Sequence, residues 1–306
     1  MNRKPLVSLC MPTNGVIEWV FPVLNSIFEQ NVDKELFEVV ITDNGNNQEF
    51  KRKIKEYVEN HSNIVYVETS ALPFLNEIES YKLASGQLIK FVNHRTLLVE
   101  RALQRLVDFA RDNIKEKPII YFANGVLNLP KKENSFDSFD MFVKNLSYWS
   151  SWSTGMAIWK EDFDNLSENI SDFNELFPHT TILFNERNRD KYVIDNTIIM
   201  YEMPPGNKPK GNYDLFAAFG IEYPGIVCDL LRDGSISIDT YKFVLDKNLV
   251  FIVSMYWDYC IRKNVCSYDL SGFDKIFGIY YTKAGFYKKI VGLVAKKIVR
   301  KFVAKS

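Results

Sequence analysis

Three consecutive polar residues, Asn93-His94-Arg95, close an apolar run that begins at Leu88. An amide, an imidazole and a guanidinium in a row suit an anion better than a cation. A guanidinium forks onto two phosphate oxygens at once, and, being always charged, it cannot ligate a metal ion. Two more apolar runs end in the same way, in Pro12-Thr13-Asn14 and in Asp43-Asn44-Gly45. Asp43 also has a plain structural reading, because Asp-Asn-Gly is a strong turn former. The chain has only three histidines, His61, His94 and His179, whose ordinary pKa suits proton transfer near neutrality.

The elements around these residues alternate. Apolar strand patterns at 5–13, 37–46, 63–68 and 87–93 are separated by helical patterns at 18–31, 48–61 and 74–86, and a fourth helix is expected over 97–113. Such alternation predicts crossover connections and a mainly parallel sheet. Ligands of such sheets bind outside the carboxyl ends of the strands, which is where the three polar ends fall. Residues 117–129 read as a strand pair or a bent strand. Beyond 130 the alternation fails: 130–145 reads as a charged loop and a short helix, and 146–163 as a strand or hairpin. A helix interrupted at Pro178 and a strand over 191–203 follow. Residues 204–214 form a loop rich in Pro, Gly and Lys, and helices follow from about 213.

The chain has 306 residues, 46% of them hydrophobic, so it can bury a large core. Its 38 basic residues balance 38 acidic ones, which gives no overall charge reason to expect nucleic acid. The four cysteines have no metal-type spacing and fit a reducing compartment. The N-terminal apolar run is too short for a signal peptide, and no segment is long and apolar enough to span a bilayer. Aromatic residues reach 14%, with 16 Tyr and 23 Phe; they serve core packing or a carbohydrate or lipid surface.

Four motifs stand in order in the first hundred residues: VSLCMPTNG, VLNSIFEQ, EVVITDNGN and NEIESYKLASGQLIKFVN. Together they resemble the inverting family-2 glycosyltransferases of the GT-A fold, and the later segments are similar to bacterial O-antigen or capsule enzymes of the abequosyltransferase-like kind. The resemblance is good over roughly 5–100, thins to about 200 and then stops. It implies a Rossmann-like, mainly parallel mixed sheet flanked by helices over 1–212. A helical appendage at 213–282 and a basic amphipathic helix at 283–306 would follow.

The resemblance also implies roles. Pro12, Thr13, Asn14, Asp43 and Asn44 would hold the base and ribose of a nucleotide sugar, with Glu18 and Asn76 facing the donor. Glu18 has the alternative of a plain helix-start acid. The family carries Asp-x-Asp where this chain has Asn93-His94-Arg95. A divalent metal, magnesium or manganese, would bind there and stabilise the leaving group. Asn93 and Arg95 supply no anionic ligand, so Arg95 with His94 is the expected electrostatic substitute. The alternatives are a degenerate site, or Arg95 paired with Glu100 or another acid on the next helix. The position of the family's catalytic base falls on His179, with Asp172 and Glu175 as competitors. Trp152, Ser153, Thr154 and Gly155 would border the acceptor, Trp149 and Trp159 being core. Lys208 and Lys210 belong to a lid or to an exposed basic loop.

The tail from Phe286 onward has no acidic residue, and Ile290, Val294, Ile298 and Phe302 recur at helical spacing among lysines. A basic helix with an apolar stripe suits an anionic membrane surface; packing on the rest of the chain is the alternative. The expected activity is inverting transfer of a sugar from a nucleotide donor to a lipid-linked surface glycan. It would take place in the cytoplasm, at the inner face of the membrane. The alternative is an inactive subunit of a polysaccharide assembly complex.

Overall fold

The structure is a computed structural model that describes residues 4–166, 173–204 and 211–303, with side chains described through 295. Its central sheet has the order β3-β2-β1-β4-β8. The members are β1 (Val7–Thr13), β2 (Phe37–Asp43), β3 (Ile64–Glu68), β4 (Leu88–Phe91) and β8 (Ala157–Trp159). The first four run parallel, and β8 joins antiparallel to β4, with Leu88 opposite Trp159. The expected mainly parallel α/β sheet is therefore present. β1 and β2 are buried along nearly their whole length, which is why they read as continuous apolar runs rather than alternating ones.

Helices α1 (Ile17–Phe28), α2 (Gln48–Glu59) and α3 (Asn76–Leu83) connect these strands. Val20, Val23, Leu24 and Ile27 of α1 join the core formed with Leu9, Met11, Val39 and Ile41. Asn47 caps α2 by accepting from the Phe50 amide, one of the orphan donors at a helix start.

After β4 the chain departs from expectation. In place of a helix from residue 97 there is a short strand, β5 (Thr96–Leu98), and helix α4 starts only at Ala102 (Ala102–Asn113). Arg101 turns the chain with φ 66. The pairing of β5 with β10 (Met200–Glu202), which lies about a hundred residues later, overrides the local helical pattern.

A second sheet has the order β6-β9-β7, from β6 (Ile119–Phe122), β7 (Glu133–Phe136) and β9 (Tyr192–Asp195). β7 was expected as loop. It is polar because it is an edge strand whose side chains alternate between exposed and half-buried. The expected strand over 191–203 is two strands, β9 and β10. Helices α5 (Phe139–Leu146) and α6 (Lys160–Asp164) flank this region. The expected strand or hairpin at 146–163 is two 3₁₀ turns, at Ser147–Ser151 and Ser153–Gly155, followed by the short β8 and helix α6. Pro178 starts helix α7 (Pro178–Leu183) rather than interrupting one; its missing N–H costs nothing at that position.

The chain divides into two compact units, one of 1–142 with 149–204, the other of 143–148 with 205–306. The second holds α8 (Leu215–Ala217), α9 (Tyr223–Arg232), α10 (Ile238–Tyr256) and α11 (Lys283–Val303). Phe286 of α11 is fully buried and packs on Tyr256 of α10 and on Phe273 and Phe277. Lys289 pairs with Asp246 at 2.5 Å. Ile290 and Val294 of the expected stripe are half-buried, whereas Tyr287 and Val291 are exposed. Ile298, Phe302 and the lysines beside them lie outside the described side chains. Among the described residues no helix is long and apolar enough to cross a membrane.

Candidate active site

The carboxyl ends of β1, β2 and β4 lie side by side because the strands pair in register: Thr13 is opposite Asp43, and Val92 donates to the Cys10 carbonyl at 2.8 Å. Asn44 donates its amide to the Thr13 carbonyl, and its side chain reaches the Ala71 carbonyl at 3.0 Å. Gly45 is required here, since a Cβ would stand 2.1 Å from the Asn14 carbonyl oxygen. Asn76 is buried and uses both ends of its amide. Its nitrogen donates to the carbonyls of Thr42 (2.9 Å) and Thr13 (3.4 Å), and its oxygen accepts from Thr69 at 2.7 Å. The structure thus gives Asn76 the job of clamping two strand ends, where a direct donor contact was expected.

Asp43 is buried and accepts from the Gly45 amide at 2.8 Å and the Tyr66 hydroxyl at 3.1 Å. Burial raises its pKa, against the lowering effect of those two donors. Tyr66, on β3, was missed by sequence reasoning because nothing in its pattern marks a strand-end partner.

Thr13 accepts from the Gly15 amide at 3.1 Å and is hydrogen-bonded to His94 Nδ1 at 2.7 Å. The His94 ring meets Trp19 edge to face, with centroids 5.2 Å apart. Burial, and then the charge of Arg95, push the His94 pKa down to about 4, so the imidazole is neutral near pH 7. Trp19 was also missed, although it stands one turn from Val23 on the buried side of α1. Glu18 is exposed in the first turn of α1.

The Arg95 guanidinium lies over the Trp19 ring, 5.5 Å from its centroid. Its Nη2 donates to Glu202 of β10. The paired acid is therefore Glu202, brought from far along the chain, and not Glu100 on the following segment. Arg95 Nε is buried with no partner among the described residues. Asn93 Oδ1 accepts the Arg95 amide at 3.1 Å, which makes the tripeptide a tight turn.

The donor set at this strand end does not fit a divalent cation. Asn93 Oδ1 and His94 Nδ1 are already bonded, and Arg95 is itself a cation. Among the described residues no group of three or more His, Cys, Asp or Glu is placed to hold a metal.

A second cluster holds the segment 149–155 by its carbonyls. The Tyr121 hydroxyl lies between the carbonyls of Trp149 and Trp152, the latter at 2.8 Å. Thr180 donates to Ser150 at 3.0 Å, His179 Nε2 is 2.9 Å from the Ser151 carbonyl, and Lys90 donates to Thr154 at 2.5 Å. Gly155 lies against Tyr121, where a Cβ would be 2.2 Å from the ring. Thr154 and Gly155 are buried, while Trp152 and Ser153 are half-exposed. Of the four residues expected at the acceptor, only the latter two are accessible.

His179 is buried, and its geometry differs from that of a base open to a cleft. A carbonyl can only accept, so Nε2 carries a proton towards Ser151. Nδ1 faces Glu77 Oε1 at 3.6 Å, and neither atom has a hydrogen bond among the described residues. Glu175 is exposed; Asp172, Lys208 and Lys210 lie outside the described residues. Lys90, also missed because it sits within an apolar strand, is buried with no carboxylate partner among the described residues. Desolvation pushes its pKa down to about 7.

No protein-family model and no curated protein matches the chain. Solved structures do. S. aureus TarS 1-349 in complex with UDP-GlcNAc matches 90% of this chain and 80% of its own at 16% identity, with a TM-score of 0.62. A longer S. aureus TarS structure matches 83% of this chain at 15% identity and TM-score 0.55. This chain spans only 44% of that one. The mannosyltransferase PcManGT from Pyrobaculum calidifontis, in complex with GDP-Man and Mn2+, matches 97% of this chain and 88% of its own at 12% identity and TM-score 0.53. At these identities the likeness is one of fold, and the chain has the fold of GT-A-like glycosyltransferases.

Proposed function

We propose that this chain is a glycosyltransferase that takes a sugar from a nucleotide-sugar donor. The carrying observation is the Arg95 cation beside the neutral His94 imidazole, set on Trp19 and Thr13 at the carboxyl ends of β1 and β4. Structures of the same fold hold UDP-GlcNAc and GDP-Man. In this reading Thr13, Asp43 and Asn44 face the nucleoside, and Asn76 fixes the strand ends that carry them. Arg95 holds the diphosphate and steadies the charge that develops as the sugar–oxygen bond breaks.

The finer reading is transfer with inversion to a lipid-linked surface glycan, by an enzyme resting on the inner face of the membrane through α11. An acceptor hydroxyl attacks the anomeric carbon, the bond to the diphosphate breaks, and the hydroxyl's proton passes to a base. With Nε2–H directed at the Ser151 carbonyl, the nitrogen of His179 that can take that proton is Nδ1, which is buried facing Glu77 rather than open to a cleft. This geometry is what favours a second reading, a binding-only member of a polysaccharide assembly complex.

Donor turnover measured with and without a chelator tests both. Retained activity in EDTA, lost by about a hundredfold or more in Arg95→Ala, supports the first reading. A folded protein that turns over no nucleotide sugar, with or without added manganese, supports the second.

A further inference from the structure

Backbone pairing delivers a carboxylate to the strand-end cation. Glu202 is the last residue of β10 and stands opposite Thr96, and the Met203 amide donates to the Arg95 carbonyl at 2.9 Å. The pairing brings the two residues to adjoining positions at the ribbon's end, where their side chains meet as an ion pair. Arg95 is held on the Trp19 ring with its side chain 11% exposed, whereas that of Glu202 is 51% exposed. The cation is nearly buried and its carboxylate partner is half exposed.

The ribbon of β5 and β10 has its own backbone hydrogen bonds, so it does not need this ion pair to form. A pair with one exposed member is worth only about 0–1 kcal/mol. A guanidinium has five N–H donors, and here Nε is buried and unused. Such a cation can exchange one anion for another at low cost, and gain a bond by doing so.

We propose that Glu202 is a positioning residue that acts through Arg95, an internal competitor for the diphosphate group. It yields Arg95 to the nucleotide donor and takes it back as the nucleoside diphosphate product leaves. This rests on the assignment of Arg95 to the diphosphate. Holding the diphosphate more tightly would strengthen donor and product binding alike without favouring the transition state, and would slow release. A competitor weakens that uniform hold.

The test uses the full chain and inorganic pyrophosphate in EDTA, with binding measured by calorimetry. Glu202→Gln should bind pyrophosphate about three- to tenfold more tightly than the parent, with the gap shrinking at high salt. Glu202→Asp, which keeps the charge, should stay near the parent. A carboxylate that was merely structural would give the opposite sign, weaker binding on removal. Unchanged or weaker binding in Glu202→Gln, with binding abolished in Arg95→Ala, would overturn the role of Glu202 alone. Parent-like binding in Arg95→Ala would overturn the diphosphate assignment as well.

Discussion

Lys90 carries a charge that the core pays heavily to keep. It is buried, and it donates to the carbonyls of Phe91 at 2.7 Å and Thr154 at 2.5 Å. In the unfolded chain a lysine holds its proton to about 10.5, while here it lets go near 7. Between those values the unfolded state binds more protons, so stability rises as pH climbs from about 7 towards 10. At about 1.4 kcal/mol per tenfold, the span is worth roughly 5 kcal/mol. Lys90→Met should flatten this rise in denaturant titrations across pH 7–10, although it leaves two carbonyls without their donor. A parent whose stability is level over that range would show that the charge is solvated by some other route. At this scale the sequence showed the polar strand ends clearly, because turn residues after apolar runs are a local signal. It hid Lys90, Glu77, Tyr66 and Tyr121, because a buried polar residue inside an apolar pattern is marked only by the partner it finds in space.

The element proposed to border the acceptor is the segment 149–155. Its shape comes from outside it: β4, β6 and α7 each contribute side chains that hold its carbonyls. This explains why the apolar and aromatic pattern suggested a strand there. The pattern reports burial, and the tight turns are set by contacts that lie 28 to 64 residues away in the chain. Gly155→Ala should cost about 1–3 kcal/mol by overpacking against Tyr121, read as a lower thermal midpoint, and should reduce acceptor use more than donor binding. Equal loss of both would place the segment away from the acceptor. The parallel core of β1, β2, β3 and β4 was legible because each strand lies between helices that repeat at their own period. β5 and β7 were not, because their partners β10 and β9 come much later in the chain.

For the molecule as a whole, the open question is the surface that α11 offers. Phe286 ties its first turns to α10, so the helix is both packed and, along Tyr287 and Val291, exposed. The proposed membrane role then belongs to the later turns. Vesicles containing anionic lipid should retain the full chain, and Lys296→Glu with Lys297→Glu should weaken binding by about tenfold or more, at about 1 kcal/mol per basic residue. Equal sedimentation of parent and variant would leave α11 as a packing helix only.

The six residues Val143–Tyr148 belong to the second unit, though the chain makes them long before the rest of it. Tyr148 stacks on Phe251 with centroids 4.8 Å apart, and the Ser147 carbonyl accepts from Tyr223 at 2.9 Å. Val143 and Leu146 are completely buried. During synthesis these side chains leave the ribosome about a hundred residues before Phe251, on which Tyr148 stacks. At about 5–20 residues per second, the nascent chain carries them without their partners for on the order of ten seconds. That interval is when a chaperone has most to protect.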